Sequence, residues 1–589
     1  MNRSAILHIP MSEYAYGIDE EHVAFRLRCA RGDLKKCILH FGDRACRQTP
    51  VIFTEKEMKV TASDEYFDFY EVVLEHPYKR INYYFELISE TERVLYYGDC
   101  FEEQCVDDRS EYYQFPYNHR ADIVSPPAWA KDAVIYNIFP DSFATGREYL
   151  SEEPAEKTFG GETVRGKLGG TIRGITKNVG YLRELGFNAI YINPIFAAGE
   201  YHKYDLLDYY HIDPCFGTNE EFKELVESCH QNGIKVIVDG VFNHCGWRFF
   251  AFDDVVKNGE KSRYKDWFYR LKFPVVRPEN GEIYPEYECF GYERMMPKLN
   301  TQNYEVTDYF CNVCRYWLEE YGIDGWRLDV ASEINDAFWE SFCRTAREVN
   351  PEAILIGEVW ETARHWLDGK MFDSTMNYDF RKHCRRFFAE RSIDAYEFDG
   401  RVTHMRMRYR EQTVYAQLNL LDSHDVSRFL SLCGNDEERY KLAVLFQMTF
   451  PGIPSVFYGD EKGISGILEE EYRAPMRWNQ VEDELLLFYK KAIRLRREHT
   501  ALREGGYRTI QAERESSLYI YARETDSVTI IIAMNVGDEI CRLPDTDGTG
   551  KTIQWEETGG ALQILWQNGL NGKELAPMGW AVISMEAAH

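Results

Sequence analysis

Residues 323–359, IDGWRLDVASEINDAFWESFCRTAREVNPEAILIGEV, decide the predicted fold because they contain one complete strand–helix–strand unit. The runs IDGWRLDV and AILIGEV are short and apolar, which is typical of buried strands. The residues between them, near 336–349, have the periodicity of an amphipathic helix. A unit of this kind joins two parallel strands, so its repetition along a chain predicts an α/β fold.

The same alternation continues through the middle of the chain. The runs predicted as strands are AVIYNIFP, NAIYINPI, IKVIVDG, IDGWRLDV, AILIGEV, FDSTMNY, AQLNLLDS and IPSVFYG. Helical patterns lie near 174–186, 218–232, 305–321 and 336–349. Eight β/α units predict a (β/α)8 TIM barrel.

Segments of a different kind interrupt and flank the barrel pattern. Residues 243–304, between the third and fourth strands, are too many for a simple loop and are predicted to form an inserted subdomain B. Residues 1–115 contain short alternating runs separated by polar turns, which predicts an N-terminal β-sandwich. Residues 505–589 return to strands and are predicted to form a C-terminal β-sandwich. Residues 116–242 and 305–504 are then the two parts of the barrel.

The composition excludes several classes of function. Lys plus Arg number 69 against 97 Asp plus Glu, a net charge of -28 that argues against nucleic acid or an anionic membrane as a partner. No apolar run has the length of a signal peptide core or a membrane span, so a cytoplasmic protein is expected. The 15 cysteines are scattered, which favours reduced thiols over a disulfide framework. Cys311 and Cys314 lack a second pair at zinc spacing, so no zinc site is predicted there.

Polar residues stand at the predicted ends of several barrel strands. Arg327 and Asp329 alternate with apolar residues and therefore project from the same face of their strand. A single pair of this kind indicates either a structural ion pair or a carboxylate that is held ionised for chemistry. The residues at the strand ends are Asn243, His244, Arg327, Asp329, Glu358, His424 and Asp425. One such Asp is commonly a helix cap, but three carboxylates and two histidines on one rim predict an active site.

Several motifs carry a resemblance to a known family. DGVFNH, GWRLDVASE, GEVWE and LLDSHD, in this order, look like the characteristic segments of the alpha-amylase superfamily, glycoside hydrolase family 13. The segments YNIFPDSFATG, YHKYDLLDYYHIDPCFGT and MPKLN narrow the resemblance to the neopullulanase, cyclomaltodextrinase and maltogenic amylase group. The resemblance extends over essentially the whole chain, and it implies that the β-sandwich of residues 1–115 is similar to starch-binding domains.

The resemblance implies a division of labour among the three carboxylates. Asp329 would be the nucleophile, Glu358 the general acid/base and Asp425 the residue that stabilises the transition state. Retaining glycosidases need this division, because one carboxylate attacks the anomeric carbon while the other donates a proton to the leaving group. Arg327 would favour the ionised form of Asp329, and Glu358 would be kept protonated by nearby carboxylates and apolar neighbours.

The resemblance also implies which residues bind substrate. His244 and His424 would form hydrogen bonds with the sugar being cleaved, and Tyr204 would stack on it, with His202 assisting. The residues that match positions lining the substrate cleft are Trp360, Glu361, Phe290 and Tyr378. Arg473 matches a loop whose usual pattern has paired arginines, and Ala474 replaces the second of them.

Partners and cofactors follow from the same resemblance. The expected substrates are α-glucan oligosaccharides and cyclodextrins, and the expected assembly is a homodimer in which the N-terminal domain of one chain narrows the cleft of the other. Relatives tend to bind calcium where the first barrel strand leads into its loop. Thr145, Arg147 and Thr171 stand at the positions of the usual ligands here, so this calcium site is predicted to be lost, although Glu148 or the run SEEPAE leaves a shifted site open.

Two alternatives to an α-1,4-glucan hydrolase remain open on the sequence. A transglycosylase or isomerase would use the same barrel, because a sugar hydroxyl instead of water would intercept the covalent intermediate. A non-catalytic binding or transporter-associated subunit is the other alternative, and it predicts lost carboxylates or a membrane span.

Overall fold

The computed structural model describes residues 1–48, 50–75, 78–146, 156–277, 287–479, 482–555 and 562–586. The chain forms two compact units. The terminal unit comprises residues 1–125, 391–415 and 504–589, and the barrel unit comprises residues 126–390 and 416–503.

The N-terminal part of the terminal unit is a nine-stranded sheet. Its strands are β1 (Ala15–Gly17), β2 (His22–Ala30), β3 (Lys36–Asp43), β4 (Thr54–Ser63), β5 (Phe67–Glu75), β6 (Ile81–Ile88), β7 (Arg93–Tyr97), β8 (Cys100–Glu102) and β9 (Tyr113–Phe115). They hydrogen-bond in the order β1-β2-β5-β4-β3-β6-β7-β8, with β9 beside β6. The first half of β4 pairs with β3 and its second half with β5, so this strand joins the two layers of the predicted sandwich.

The middle of the chain contains the strands of the barrel unit. They are β10 (Ile135–Ile138), β11 (Glu156–Phe159), β12 (Glu162–Arg165), β13 (Ala189–Ile192), β14 (Lys235–Gly240), β15 (Cys289–Phe290), β16 (Glu293–Pro297), β17 (Gly325–Leu328), β18 (Ile354–Gly357), β19 (Ser374–Asn377), β20 (Leu418–Leu420) and β21 (Ile453–Phe457). Eight of them close a parallel barrel in the order β10-β13-β14-β17-β18-β19-β20-β21. The TIM barrel predicted from the sequence is confirmed, and each of its eight predicted strands is present.

The helices are α1 (Pro140–Phe143), α2 (Ile172–Lys177), α3 (Val179–Leu185), α4 (Asn219–Gln231), α5 (Phe250–Asn258), α6 (Tyr304–Glu320), α7 (Asp336–Val349), α8 (Tyr378–Cys384), α9 (Ala395–Met407), α10 (Glu411–Ala416), α11 (Phe429–Leu432), α12 (Glu437–Thr449), α13 (Glu469–Tyr472), α14 (Glu484–Glu498) and α15 (Thr500–Glu504). Polar caps begin several of them; Asn335 accepts a hydrogen bond from the backbone of Phe338 at the start of α7. The helix predicted near 174–186 is divided at Asn178, which ends α2 and begins α3.

Barrel strands are short, and all of them except β14 are buried from end to end. Strands β13, β17 and β18 each have four residues, and every one of them is buried. Ile237, Ile354 and Ile356 are fully buried within the core of the barrel. A packed interior leaves the ends of the strands as the places where polar side chains reach solvent, and the site described below lies at the carboxyl ends.

The segment after β14 that was predicted as subdomain B contains helix α5 and the two-stranded hairpin β15–β16. The hairpin places Phe290 beside the ring of His244, which follows β14. Residues 278–286 of the predicted subdomain lie outside the described part of the chain.

The C-terminal strands are β22 (Gly506–Ala512), β23 (Leu518–Glu524), β24 (Val528–Asn535), β25 (Cys541–Arg542), β26 (Leu562–Asn571) and β27 (Glu574–Glu586). They form one antiparallel sheet in which β27 pairs with β24, β25 and β26. Helix α9 was predicted as part of the barrel but packs on β4 and β22 of the terminal unit. Gly400 permits this close packing, because a Cβ there would lie 3.1 Å from the backbone nitrogen of Glu65.

All 15 cysteines are free thiols in this structure. Among the described residues, no helix is both long and apolar enough to cross a membrane.

Candidate active site

Three carboxylates lie at the carboxyl ends of barrel strands. Asp329 follows β17, Glu358 follows β18, and Asp425 lies in the segment after β20. Asp329 and Glu358 are 5% and 6% exposed, so both are nearly removed from water and yet open to the rim of the barrel. Because neighbouring parallel strands end at the same edge, their successive positions bring the three side chains together.

The guanidinium group of Arg327 contacts all three carboxylates. Its Nη1 donates a hydrogen bond of 2.7 Å to Asp329, and its Nη2 lies 3.1 Å from Glu358 and 3.9 Å from Asp425. Nη1 also bonds both oxygens of Asp239, at 3.0 and 3.1 Å. The Arg327 side chain is fully buried, so these carboxylates must compensate its charge. The width of one guanidinium group therefore sets the spacing between Asp329 and Glu358.

Asp329 is held from one side only. Its Oδ1 accepts the bond from Arg327, whereas its Oδ2 is buried and has no hydrogen-bond partner among the described residues. The next residue, Val330, adopts a left-handed backbone with φ 47°. A β-branched residue in that conformation is strained by roughly 1–3 kcal/mol, and such strain is concentrated at functional sites.

The strained backbone of Val330 has a direct contact in the site. Its N–H donates a 2.9 Å hydrogen bond to Oε2 of Glu358. The indole N–H of Trp360 donates a second bond of 2.9 Å to Oε1. Glu358 is thus oriented by two N–H donors in addition to Arg327.

The pKa of Asp329 differs from the sequence-based expectation. Burial and the neighbouring Glu358 carboxylate raise its pKa well above the ordinary value, and Arg327 only partly opposes them. Arg327 acts in the predicted direction and favours the ionised form of Asp329, but burial and the second carboxylate outweigh it. Asp329 therefore holds its proton to higher pH than an isolated aspartate does.

Asp425 has the opposite behaviour. Burial acts to raise its pKa, but His424, Arg327 and Arg473 outweigh burial and lower the pKa to about 2. Nε2 of His424 lies 3.0 Å from its carboxylate, and Nη2 of Arg473 lies 3.7 Å from it. Asp425 is therefore ionised throughout the neutral range.

Two histidines at the site are neutral at physiological pH. Burial and the nearby Lys298 ammonium lower the pKa of His244 to about 3. Burial and Arg473 lower the pKa of His202 to about 4, and its Nδ1 accepts the backbone N–H of Tyr204. Nε2 of His244 is buried and has no partner within the described part of the chain. An unpaired ring nitrogen of this kind is available for a hydrogen bond with a ligand.

Tyr204 and His424 lie against each other. Their rings are parallel within 10°, with centroids 5.7 Å apart, and the Tyr204 hydroxyl lies 2.5 Å from Nε2 of His424. The same hydroxyl donates a bond of 3.1 Å to Asp239. The amide nitrogen of Asn193 lies 2.8 Å from Nδ1 of His424 and 3.3 Å from its Nε2, and it helps to hold the ring in place.

Asp239 and Asn193 are functional residues that the sequence reasoning did not select. Asp239 lies at the end of β14 and bonds Arg327, Tyr191 and Tyr204. Asn193 follows β13 directly. Their positions at strand ends, in IVDG and YINP, could have indicated that they belong to the site. A single Asp or Asn at a strand end does not, however, show which side chains it will contact.

The predicted cleft residues differ in how closely they contact the carboxylates. Trp360 is 54% exposed and stacks on Tyr378, with centroids 4.0 Å apart and planes within 9°. Phe290 stacks on His244 at 4.8 Å. Glu361 is exposed and is not brought to the three carboxylates by any contact described here.

Arg473 is placed beside Asp425 by several contacts. Its Nε donates to the backbone oxygen of His424 at 2.8 Å, and its Nη1 donates to Glu469 at 2.6 Å and to the hydroxyl of Tyr201 at 3.1 Å. The structure therefore brings Arg473 to the site even though Ala474 replaces the second arginine of the usual loop pattern.

The loop after the first barrel strand has donors where a calcium ion would need acceptors. The carbonyl oxygen of Gly146 accepts the ammonium of Lys177 at 2.5 Å, and that of Thr145 accepts the hydroxyl of Thr171 at 3.1 Å. Thr171 also accepts the N–H of Gly174. In the described ranges, no group of three or more His, Cys, Asp or Glu side chains is arranged to hold a metal ion. Arg147, Glu148 and residues 151–155 lie outside those ranges.

Comparison with known proteins places these features in a family. The family described as "Alpha amylase, catalytic domain" matches residues 137–484, and "Alpha amylase, N-terminal ig-like domain" matches residues 1–119. Neopullulanase 2 of Thermoactinomyces vulgaris is 41% identical over 92% of this chain and 93% of its own length. Cyclomaltodextrinase of Geobacillus thermopakistaniensis is 40% identical over 94% of both chains. A solved cyclomaltodextrinase structure superimposes with a TM-score of 0.90 and 35% identity, covering 99% of this chain and 100% of that one.

Proposed function

The chain belongs to the alpha-amylase family of glycoside hydrolases, and on that premise we propose that it cleaves α-1,4-glucosidic bonds in cyclodextrins, maltooligosaccharides and pullulan with retention of configuration. The observation that carries this proposal is the arrangement of Asp329, Glu358 and Asp425 around Arg327 at the carboxyl ends of the barrel strands. The similarity to neopullulanase and cyclomaltodextrinase supports the choice of substrates.

In the first step Asp329 attacks the anomeric carbon while Glu358 protonates the departing glycosidic oxygen. A covalent glycosyl-enzyme forms, and the aglycone leaves with the proton. In the second step Glu358, now ionised, removes a proton from water, and the water displaces Asp329. The chemistry requires carboxylates about 5–5.5 Å apart, and the shared contact with one guanidinium group supports that spacing.

The first step requires Asp329 as the anion and Glu358 as the acid. Burial and the neighbouring Glu358 carboxylate raise the pKa of Asp329, and Arg327 opposes that rise. Arg327 favours the ionised form of Asp329 through the hydrogen bond from Nη1, and a glycosidic oxygen beside Glu358 would accept the proton of the acid.

The other side chains provide binding and transition-state stabilisation. Asp425, ionised above pH of about 2, lies where it stabilises positive charge that develops on the sugar ring. Nε2 of His244 supplies a free hydrogen-bonding position, and the ring of Tyr204, which lies against His424, supplies an apolar surface. Exposed Trp360 next to Glu358 is placed to contact the leaving-group sugar.

We expect β-cyclodextrin and maltotriose to be turned over at least ten times faster than soluble starch at equal concentrations of glucose units. The reason is that the N-terminal domain of a second chain in a homodimer would narrow the active-site cleft, and a narrow cleft favours cyclodextrins and short oligosaccharides over starch. Exposed apolar side chains on the terminal unit, Ile52 and Val73 at 65% and 42%, support a surface that a second copy would cover. Turnover is measured by release of reducing ends, with pullulan as a third substrate.

Light scattering during gel filtration is the companion measurement. A monomer at micromolar concentration that hydrolyses starch as fast as cyclodextrin would contradict the narrowed cleft. Product analysis at high maltotriose separates hydrolysis from transfer: glucose and maltose indicate hydrolysis, whereas products longer than the substrate indicate a transglycosylase.

We further propose that the protein works in the cytoplasm and without calcium in the loop after the first barrel strand. The 15 free thiols support a reducing compartment. Lys177 on the Gly146 carbonyl supports the absence of calcium, because an ammonium there already provides the positive charge and would repel a divalent cation.

The calcium proposal predicts thermal midpoints that agree within about 1 °C in 1 mM calcium and in excess chelator, with unchanged activity. A site with a dissociation constant of 10 µM would instead stabilise the folded protein by about 2.7 kcal/mol at that concentration. The Lys177→Met variant is the matched control, because it removes the ammonium and leaves the rest of the loop intact. Calcium-dependent stabilisation of the unaltered protein would contradict the proposal.

A further inference from the structure

A cleft of ≈ 330 Å³ lies within the terminal unit, apart from the carboxylates of the barrel. Its walls come from β4, α9 and β22, three elements that are distant in the sequence. The side chains that carry its chemistry are Arg31, Thr61, Tyr396, Asp399, Arg406 and Thr509. The hydrolytic mechanism uses none of them.

One carboxylate lies in the cleft and is held in a fixed orientation. Asp399 accepts hydrogen bonds from the hydroxyls of Thr509 and Tyr519, at 2.5 and 2.9 Å. Burial raises its pKa, and Arg406 and Arg31 oppose that rise. The carboxylate is therefore positioned by its neighbours while it still borders the cleft.

Two guanidinium groups in the same cleft retain donors. Arg31 donates to the backbone oxygen of Asp64 at 2.7 Å and to the hydroxyl of Tyr396 at 3.0 Å. Arg406 lies 4.4 Å above the ring of Tyr507. Within the described chain neither forms an ion pair with a carboxylate at 4.0 Å or less, so most of their five N–H donors each remain for a ligand.

This mixture of groups discriminates between classes of ligand. The charged side chains that line the cleft are Asp399, Arg31, Arg406 and Arg508, and Arg508 already bonds Glu524 and Asp547. A cation would be repelled by Arg31 and Arg406. An anion without hydrogen-bond donors would leave the carboxylate of Asp399 without a donor from the ligand. A neutral polyhydroxylated ligand suits both the carboxylate and the guanidinium groups, because each of its hydroxyls donates one hydrogen bond and accepts others. The volume lies at the lower end of the range of about 300–1,000 Å³ for small-molecule sites, which corresponds to one or two sugar rings.

We propose that the cleft between β4, α9 and β22 is a second binding site, which holds a neutral sugar of one or two rings through Asp399, Arg31 and Arg406. The hydroxyls of Thr61 and Thr509 complete the polar lining. Arg31 and Arg514 already lie over the ring of Tyr396, 5.1 and 4.1 Å from its centre. Recognition therefore depends on hydrogen bonds to hydroxyls more than on aromatic stacking. The choice of maltose as the probe below rests on the proposed function.

Equilibrium dialysis with labelled maltose tests the site in the full chain. The background is Asp329→Asn, which leaves the binding residues of the barrel in place. Two maltose molecules per chain are expected. Adding Ala512→Trp, which fills the cleft, should lower the number by one, and adding Arg31→Ala alone should weaken the second binding event at least tenfold. Arg31 is exposed, so Arg31→Ala should fold normally. This variant therefore still tests the site if Ala512→Trp fails to fold.

Arg514→Ala is the matched control, because Arg514 contacts the same Tyr396 ring but does not line the cleft. It should leave the number of bound maltose molecules unchanged. The proposal would be overturned if the Asp329→Asn background and both cleft variants bound the same number of maltose molecules. It would also be overturned if Arg514→Ala lost as much bound maltose as the cleft variants. Inorganic phosphate that displaces this maltose at constant ionic strength would also overturn it, in favour of an anion site.

The cleft variants with Asp329 restored separate this proposal from the proposed function. Hydrolysis of maltotriose should stay within twofold of the unaltered protein, because the cleft is not part of the catalytic site. Loss of hydrolysis without loss of the bound maltose would overturn the assignment of this maltose to the cleft. If the barrel site itself holds no maltose, the expected numbers become one and zero, and the difference of one still tests the cleft.

Discussion

Asp329→Asn is expected to lower kcat on maltotriose and β-cyclodextrin by about 10⁴-fold or more, which corresponds to roughly 5 kcal/mol of transition-state stabilisation. The amide has the shape of the carboxylate but cannot form the glycosyl ester, so the first covalent step is lost. Contacts of Arg327 with Asp239 and Glu358 remain and hold the guanidinium in place. The measurement is kcat and KM on purified protein free of other amylases.

The same variant should not lose thermal stability at pH 7. The folded-state pKa of Asp329 is raised, so its ionisation is less favourable in the folded than in the unfolded chain. A raised carboxyl pKa reduces stability as the pH rises through and above the unfolded value near 4, and the neutral amide removes that effect. We therefore expect a midpoint equal to or above that of the unaltered protein. A stable variant with more than a few per cent of the original activity would refute Asp329 as the nucleophile.

Azide rescue distinguishes the nucleophile from a residue that only positions substrate. Asp329→Ala leaves space behind the anomeric carbon, and azide attacking an activated α-glucosyl fluoride from that side gives the β-glycosyl azide. The fluoride departs with the bonding electrons, so no acid is needed. Formation of the α-azide, or no rescue in a folded protein, would argue against attack from the position of Asp329.

Glu358→Gln is expected to lower kcat on natural glucans by about 10³- to 10⁴-fold, near the upper end of what a general acid contributes. Glutamine keeps the hydrogen bond from the backbone of Val330 but cannot donate a proton to the glycosidic oxygen. Activity on α-glucosyl fluoride should fall much less in the first step, because fluoride leaves without protonation. Stopped-flow measurement of fluoride release checks this difference directly.

The second step provides the control for Glu358. Without a general base, water attacks the glycosyl-enzyme slowly, whereas azide needs no deprotonation. Azide should therefore accelerate Glu358→Ala and yield the α-azide, the opposite anomer from that given by Asp329→Ala. An equal loss of rate on the fluoride and on maltotriose would show that Glu358 acts in some way other than proton transfer.

The barrel and its carboxylates were predictable because they follow from local patterns. Eight apolar runs alternate with helical periods, and parallel strands of a closed barrel end on one rim. Asp329 and Glu358 come directly after two such runs, and Asp425 lies shortly after a third. No distance measurement was needed to place them together, only the count of strands and the position of each residue within its run.

Other features depend on contacts between distant parts of the chain and could not be predicted. The left-handed backbone of Val330 is imposed by the surrounding structure, since a β-branched residue disfavours it. The balance of burial against Arg327 in the pKa of Asp329 requires knowledge of depth. Helix α9 lies within the residues predicted to belong to the barrel, and only its packing on β4 and β22 assigns it to the terminal unit.

The pairing of β10 with β21 also constrains how the protein is made. Ile135 lies opposite Ser455 in the closed barrel, so the ribosome must add all the residues between them before the ring of strands is complete. At about 5–20 residues per second, this takes roughly 15–60 s. During that time β10 presents an unpaired edge to other nascent chains. Residues 1–125 wait longer still for their neighbours in the terminal unit, because residues 504–589 are synthesised after both parts of the barrel unit. The growing chain therefore exposes unpaired strand edges that chaperones bind, and it does so well before the active site is complete.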